Sequence, residues 1–391
     1  MRGDLTRSLF AALIAVATVA APAPARAASL DCGRPIPDPL AEAPAALTRL
    51  RPDAAWPLST GAGVTVAVID SGVSADHPTL TGKIRPGRDF ILAGDGPGDC
   101  DENGHGTLIA GIIAGREATS AGFRFYGVAP DASIVPVRVL RDQRRSEEPD
   151  LSDRIAEAVR WAVDEGGADV VNLSLTTPDT PELAAAVRHA LDRGAVVVAA
   201  AGNDGEAASG QVAFPAAYPG VLAVASVDEK DAHVNSSSQG DYVDVAAPGT
   251  RIAGPAPAGG GYLFTAEGGT SFAAAYVSGV AALIRSYAPD TTPEQVASRI
   301  TETADHPADL WNPQVGHGVV NPARAVGSLR GADVATDANA VRLKPEPVES
   351  DPLRAIRVAA PWIAVAGLGV AGLVLLAVPV TRRGRRRGWR P

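Results

Sequence analysis

From Gly61 to about Arg330 the chain switches repeatedly between short, uninterrupted apolar runs and longer segments with apolar residues at helical spacing, and no other feature narrows the fold so far. The runs "VTVAVID", "SIVPVRVL", "ADVVNLSL", "AVVVAA" and "VLAVAS" lack the polar alternation of a strand with one wet face. Strands apolar at consecutive positions are buried on both faces, the condition of a parallel sheet covered by helices. Between them, "SDRIAEAVRWAVDEG" and "PELAAAVRHALDRG" have the helical period and stop signals at Gly166 and Gly194. The pattern predicts one large α/β domain over residues 60–330, with a mostly parallel central sheet and enough chain for a substantial core.

The ends of the chain set the compartment. Arg2 and Arg7 precede an apolar run, Leu9 to Ala21, and Ala25-Arg26-Ala27 fits a small-residue cleavage site. Residues 1–27 therefore read as an export signal, with an uncleaved anchor as the alternative. At the other end, Val358 to Val380 holds no charged residue and is long enough, as a helix, to cross a bilayer core of about 30 Å. The arginines of 381–391, "TRRGRRRGWRP", place the C-terminus in the cytoplasm by the positive-inside tendency. The expected location is thus a single-pass plasma-membrane protein whose main domain is extracytoplasmic. Residues 28–59, rich in Pro and Ala and without a sustained period, read as an extended N-terminal arm. The charged, Pro-containing segment 331–357 reads as a stalk.

Charge follows the same partition. The chain carries −9 overall; with +2 in residues 1–27 and +6 in the tail, the segment from Ala28 to Arg357 is left at −17. So acidic a body lacks the basic face that phosphate binding needs, which argues against nucleic acid as a partner. The only two cysteines, Cys32 and Cys100, lie in the exported part, where pairing is the simplest outcome and two free thiols the alternative. A bond would tie the arm to a loop just before His105. Two cysteines so far apart, without clustered histidines, build no zinc or iron–sulfur site.

In a parallel α/β sheet, sites form where strand ends lead into helix N-termini. "VTVAVIDSGV" ends a strand at Asp70, "DENGHGTLIAGIIAG" opens a helix at His105, and "GGTSFAAAYVSGVAALI" opens one at Ser271. Acyl transfer needs these three types together: a serine to attack, a histidine to take and return its proton, and a carboxylate to fix the imidazole. Each has a plain structural alternative, a helix cap for Asp70 and Ser271 and a turn residue for His105. A fourth segment, "VVVAAAGNDG", brings Asn203 to a strand end behind Gly202, where its amide could donate to a developing oxyanion beside the Ser271 N–H. A left-handed turn before Gly205 is the alternative for Asn203.

The order Asp70, His105, Asn203, Ser271, set in "VAVIDSGV", "NGHGTLIAG", "AAGND" and "GGTSFAAAYVSG", closely resembles the subtilisin-like serine proteases over residues 60 to 329. "HPTL", "GVAPDASIVPVRVL", "YVDVAAPGT" and "GHGVVNPARAV" match lesser landmarks. The resemblance implies a subtilisin-like three-layer fold, a triad of Asp70, His105 and Ser271, and Asn203 as oxyanion donor. It also implies a peptide or protein substrate bound at Ser174, Leu175, Thr176 and Gly202, the extended peptide pairing with Ser174 and Leu175 by strand addition. It explains the small residues Ala273, Ala274, Ala275, Gly279 and Ala282 as room for neighbours around a central helix. Ala275 stands where the family usually has proline; proline early in a helix is compatible with its fixed φ, so alanine need not spoil the geometry. Thr176 stands where many relatives have glycine, and a side chain there predicts a restricted substrate range. Triad chemistry needs no cofactor or metal. Calcium stays open, since some relatives bind it but no continuous acidic loop demands it here.

The arm is shorter than the removable chaperone of many secreted relatives, so a wrap retained through the disulfide is expected. Signal, short tethered arm, protease domain, stalk, single span and arginine tail together resemble the mycosins, membrane-anchored proteases of type VII secretion systems. That implies the lipid bilayer and a membrane secretion complex as partners, and a structural role in the complex as the alternative to proteolysis. An esterase of the α/β-hydrolase type is disfavoured, because no G-x-S-x-G elbow surrounds Ser271 and the triad order differs.

Overall fold

Eleven strands and seven α-helices alternate in the computed structural model, which describes residues 32, 36–91, 96–141, 148, 150–205, 212–328, 378–379 and 382–384. The strands are β1 (Thr65–Asp70), β2 (Arg88–Asp89), β3 (Ala118–Ser120), β4 (Phe123–Phe125), β5 (Ser133–Arg138), β6 (Val170–Leu173), β7 (Val196–Ala200), β8 (Leu222–Val227), β9 (Val245–Pro248), β10 (Ile252–Pro255) and β11 (Tyr262–Thr265). The helices are α1 (Ala45–Leu50), α2 (His105–Ala114), α3 (Leu151–Asp164), α4 (Pro181–Asp192), α5 (Thr270–Tyr287), α6 (Pro293–Glu302) and α7 (Pro322–Gly327). Seven strands form one parallel sheet in the order β2-β5-β1-β6-β7-β8-β9, while β3–β4 and β10–β11 are separate antiparallel pairs.

The uninterrupted apolar strands have the reason the sequence implied. Successive residues alternate between two cores: Val66 and Val68 of β1 face one, Ala67 and Ile69 the other, and β7 divides in the same way. Helices α3 and α4 cover one face, and α2, α5, α6 and α7 the other. Helix α5 is buried from Thr270 to Ile284, and Gly279 shows why its residues are small: a Cβ there would lie 2.5 Å from that of Val128. Helix α3 ends at Asp164, two residues before Gly166, and the left-handed turn falls at Gly167 (φ 63°), whereas Gly194 (φ 84°) takes that role after α4.

Cys32 and Cys100 are joined in a disulfide, as pairing in an oxidising compartment predicts. The N-terminal arm is not extended throughout. Residues 45–50 form α1, whose Ala46, Leu47 and Leu50 are buried in the core that α2 and α5 share. Six residues span too few turns for a helical period to register in sequence, and tertiary burial rather than propensity holds them. The expected signal (1–27) and stalk (331–357) lie outside the described residues, as do the uncharged run 358–380 except Val378 and Pro379 and the tail 381–391 except 382–384. Among the described residues no helix is long and apolar enough to cross a membrane.

Candidate active site

Strand β1 delivers Asp70 at its last position, where the side chain is fully buried and Oδ1 accepts the Ser71 N–H at 2.8 Å. His105 opens α2 behind Gly104, which has a left-handed φ of 87° and no room for a side chain, since a Cβ would come within 2.7 Å of Leu263. His105 Nδ1 lies 2.7 Å from Asp70 Oδ1. A carboxylate acceptor there fixes the proton on Nδ1 and leaves the Nε2 lone pair open to accept one. The Phe272 ring, 5.5 Å from the imidazole, packs against it.

Ser271 is the second residue of α5, and its N–H, in the first helical turn, lies beyond the intrahelical ladder. Its Oγ donates to the Ser174 carbonyl at 3.1 Å, so proton transfer to His105 requires a rotation about Cα–Cβ, a tightening expected once substrate fills the cleft. Asn203 follows β7, and its Oδ1 accepts from the Thr270 N–H (2.9 Å) and hydroxyl (3.0 Å). Because donors occupy Oδ1, the amide orientation is settled and Nδ2 is left to donate. His105, Ser271, Asn203 and Thr176 line one cleft of about 460 Å³.

The other expected substrate residues sit elsewhere around that cleft. Ser174 and Leu175 are buried: the Ser174 hydroxyl donates to the Ser271 carbonyl at 2.8 Å and contacts Asn172, and Leu175 belongs to the core under α3 and α4. Gly202, with φ 106°, supports Thr270 through its N–H and would clash with Ser238 if it carried a side chain. Of this group Thr176 alone lines the cleft, while the Ser174 carbonyl accepts from Ser271 behind it.

Sequence reasoning missed Asp101, four residues before His105 in "DENGHG" and fully buried. Its Oδ1 accepts from the Ser71 hydroxyl (2.9 Å) and from the Gly104 (2.8 Å) and Asn103 (3.3 Å) N–H groups; its Oδ2 accepts from the Thr107 N–H (2.8 Å) and hydroxyl (2.6 Å). Burial pushes this carboxyl above the usual range, against the pull of those donors. Ser71 Oγ in turn accepts the Gly106 N–H at 3.0 Å, so one carboxylate knots the loops that carry Asp70 and His105. The signal available was an acid at fixed spacing before the histidine. Among the described residues no group of three or more His, Cys, Asp or Glu could hold a metal.

What a cleft with these groups can do is acyl transfer through a serine, the work of serine proteases. The Subtilase family profile (peptidase S8) matches residues 61–319, and the chain belongs to that family: it is a subtilisin-like serine protease. Mycosin-4 of Mycobacterium tuberculosis (strain ATCC 25618 / H37Rv) is 39% identical over 374 residues, covering 86% of this chain and 80% of its own. Among solved structures, the MycP3 protease from the type VII (ESX-3) secretion system has a TM-score of 0.64 at 37% identity, covering 73% of this chain and 88% of that one. A chain of an intact ESX-5 inner membrane complex has a TM-score of 0.62 at 30% identity, covering 88% of this chain and 90% of its own.

Proposed function

We propose that the chain is a membrane-anchored, extracytoplasmic serine endopeptidase working beside a type VII secretion complex, with Asp70, His105 and Ser271 as its triad. The observation that carries the reading is the 2.7 Å contact of His105 with buried Asp70, in the cleft that Ser271 and Asn203 share. Ser271 Oγ attacks the peptide carbonyl as its proton passes to His105 Nε2. Asn203 Nδ2 and the Ser271 N–H donate to the oxyanion, aided by the positive end of α5. Collapse breaks the C–N bond, His105 gives its proton to the leaving amine, and water repeats the sequence on the acyl-enzyme. Thr176 at the cleft wall supports the narrowed substrate range.

The experiment is fluorophosphonate labelling of the full chain in detergent, with Ser271→Ala as control. Labelling of the wild type alone is expected; a folded wild-type protein that stays unlabelled sinks the catalytic reading. The likeness to a chain within an ESX-5 inner membrane complex favours a second role, as a stabilising component of such an assembly. Complementation by Ser271→Ala of a strain that has lost the chain separates the two roles.

A further inference from the structure

Leu108, Leu263 and Phe264 line the catalytic cleft and take no part in the acyl-transfer steps. They lie on the side of His105: Leu108 is one turn further along α2, and Leu263 packs on Gly104 immediately before the histidine. Thr176 and Asn203 follow β6 and β7, the strands that continue the sheet on the other side of β1. Because His105 hands its proton to the departing amine, the segment that leaves first runs past His105 and meets this wall. Phe264 is 44% exposed, a large apolar side chain left half in solvent at the rim of a cleft.

The wall is also held rigid from behind. Strand β10 lies so close on α2 that a Cβ at Gly254 would be 2.9 Å from Leu108. The turn joining β10 and β11 is pinned where the Ala258 N–H donates to Ser74 Oγ at 3.1 Å. The N-terminal arm adds a further clamp: Tyr262 N–H donates to the Asp38 carbonyl at 2.8 Å, Leu40 is buried with Tyr262, Phe125 and Ala253, and Glu42 pairs with Arg251. A pre-formed apolar surface pays little ordering cost when a side chain docks on it.

We propose that Leu108, Leu263 and Phe264 form a leaving-group subsite that selects an apolar side chain on the C-terminal side of the scissile bond, with residues 38–42 of the arm holding it in place. The proposal rests on the acyl-transfer reading of Ser271. It is tested with the full chain in detergent, acylated at Ser271 by a p-nitrophenyl ester of a blocked amino acid. The acyl-enzyme is then divided between water and added leucine, phenylalanine, glycine or aspartate amide. In the aminolysis branch the amide's amine attacks the acyl carbonyl, a peptide bond forms, the Ser271 Oγ–acyl bond breaks, and the amine's proton returns to Ser271 through His105. Leucine and phenylalanine amides are expected to capture the acyl group roughly 10- to 100-fold better than glycine amide, the range that one docked apolar side chain supports. Phe264→Ser should bring them to the glycine level, Phe264→Leu should retain the preference, and Leu40→Ala, which loosens the clamp, should weaken it. Equal capture of all four amides by the wild type, or an unchanged preference in folded Phe264→Ser, overturns the subsite. Absence of any p-nitrophenol release instead overturns the catalytic reading beneath it.

Discussion

Helices α4, α6 and α7 begin differently from α2 and α5, and the difference follows the chemistry. The first three supply their own caps. Thr180 accepts the Leu183 N–H, Thr292 forms a reciprocal capping box with Gln295, Asn321 accepts the Arg324 N–H, and each helix has Pro at its first position. The two helices that carry His105 and Ser271 have glycine at the cap and no side-chain bond from it. Their first N–H groups are served in part from other segments, Gly106 by Ser71 and Thr270 by Asn203, while Asn103 and Asp101 of the loop just before α2 serve His105 and Thr107. A self-capped terminus spends its donors locally. A terminus capped by distant residues keeps its positive end at the cleft and fixes several loops at once.

The comparison is broken hardest at the reacting ends. Ser271→Ala or His105→Ala should lower kcat about a million-fold, the size of loss known for the triad of subtilisin itself, read as turnover of a peptide ester. Asn203→Ala should cost roughly a hundred- to a thousand-fold in kcat with KM little changed, again by the precedent of subtilisin's oxyanion asparagine, because the amide acts on the transition state. An equal rise in KM would assign Asn203 to ground-state binding.

Asp101→Ala should destabilise the fold by at least about 3 kcal/mol in denaturant unfolding, since it strands several buried donors that each cost about 1–3 kcal/mol. An unchanged midpoint would mean that water or a shifted loop serves α2 instead. Asp244, a half-buried carboxylate, sharpens the contrast with Asp101: the Ala223 N–H serves it at 2.8 Å, and burial pushes it up from 3.8 to about 6. Between those values the folded state holds a proton that the unfolded state has lost, so stability should fall as pH rises through the window and level off above it. Asp244→Asn should flatten that slope and stabilise the protein at pH 7 by on the order of 2 kcal/mol. The smallest effect belongs to a self-supplied cap: Thr292→Ala should cost about 1 kcal/mol without altering the rate of fluorophosphonate labelling.

Much of this was legible in the sequence because it is written in short-range pattern. Continuous apolar runs announced strands buried on both faces, and β1, β5, β6, β7 and β8 formed from them. The segment "YVDVAAPGT" that holds β9 does not read as a strand, since four residues ending in a proline show no period of their own. Helix α1 escaped for the same reason. The order Asp70, His105, Asn203, Ser271 was legible because each residue sits at a strand end or a helix start, which local glycines mark.

The sequence by itself determined most of the sheet, its longer helices and the placing of Asp70, His105, Asn203 and Ser271 at strand ends and helix starts, because strand and helix periods and their punctuation act over a few residues. Only the tertiary structure decided that Asn203 turns its carbonyl to Thr270 and so aims its N–H₂ outward, that Asp101 knots two loops, and that Ser174 holds Ser271 through its backbone. It also decided that the arm clamps the β10–β11 hairpin against the cleft. These contacts join residues from 30 to more than 200 positions apart, and a hydrogen bond between such partners leaves no period in the chain; it exists only once packing has brought them together.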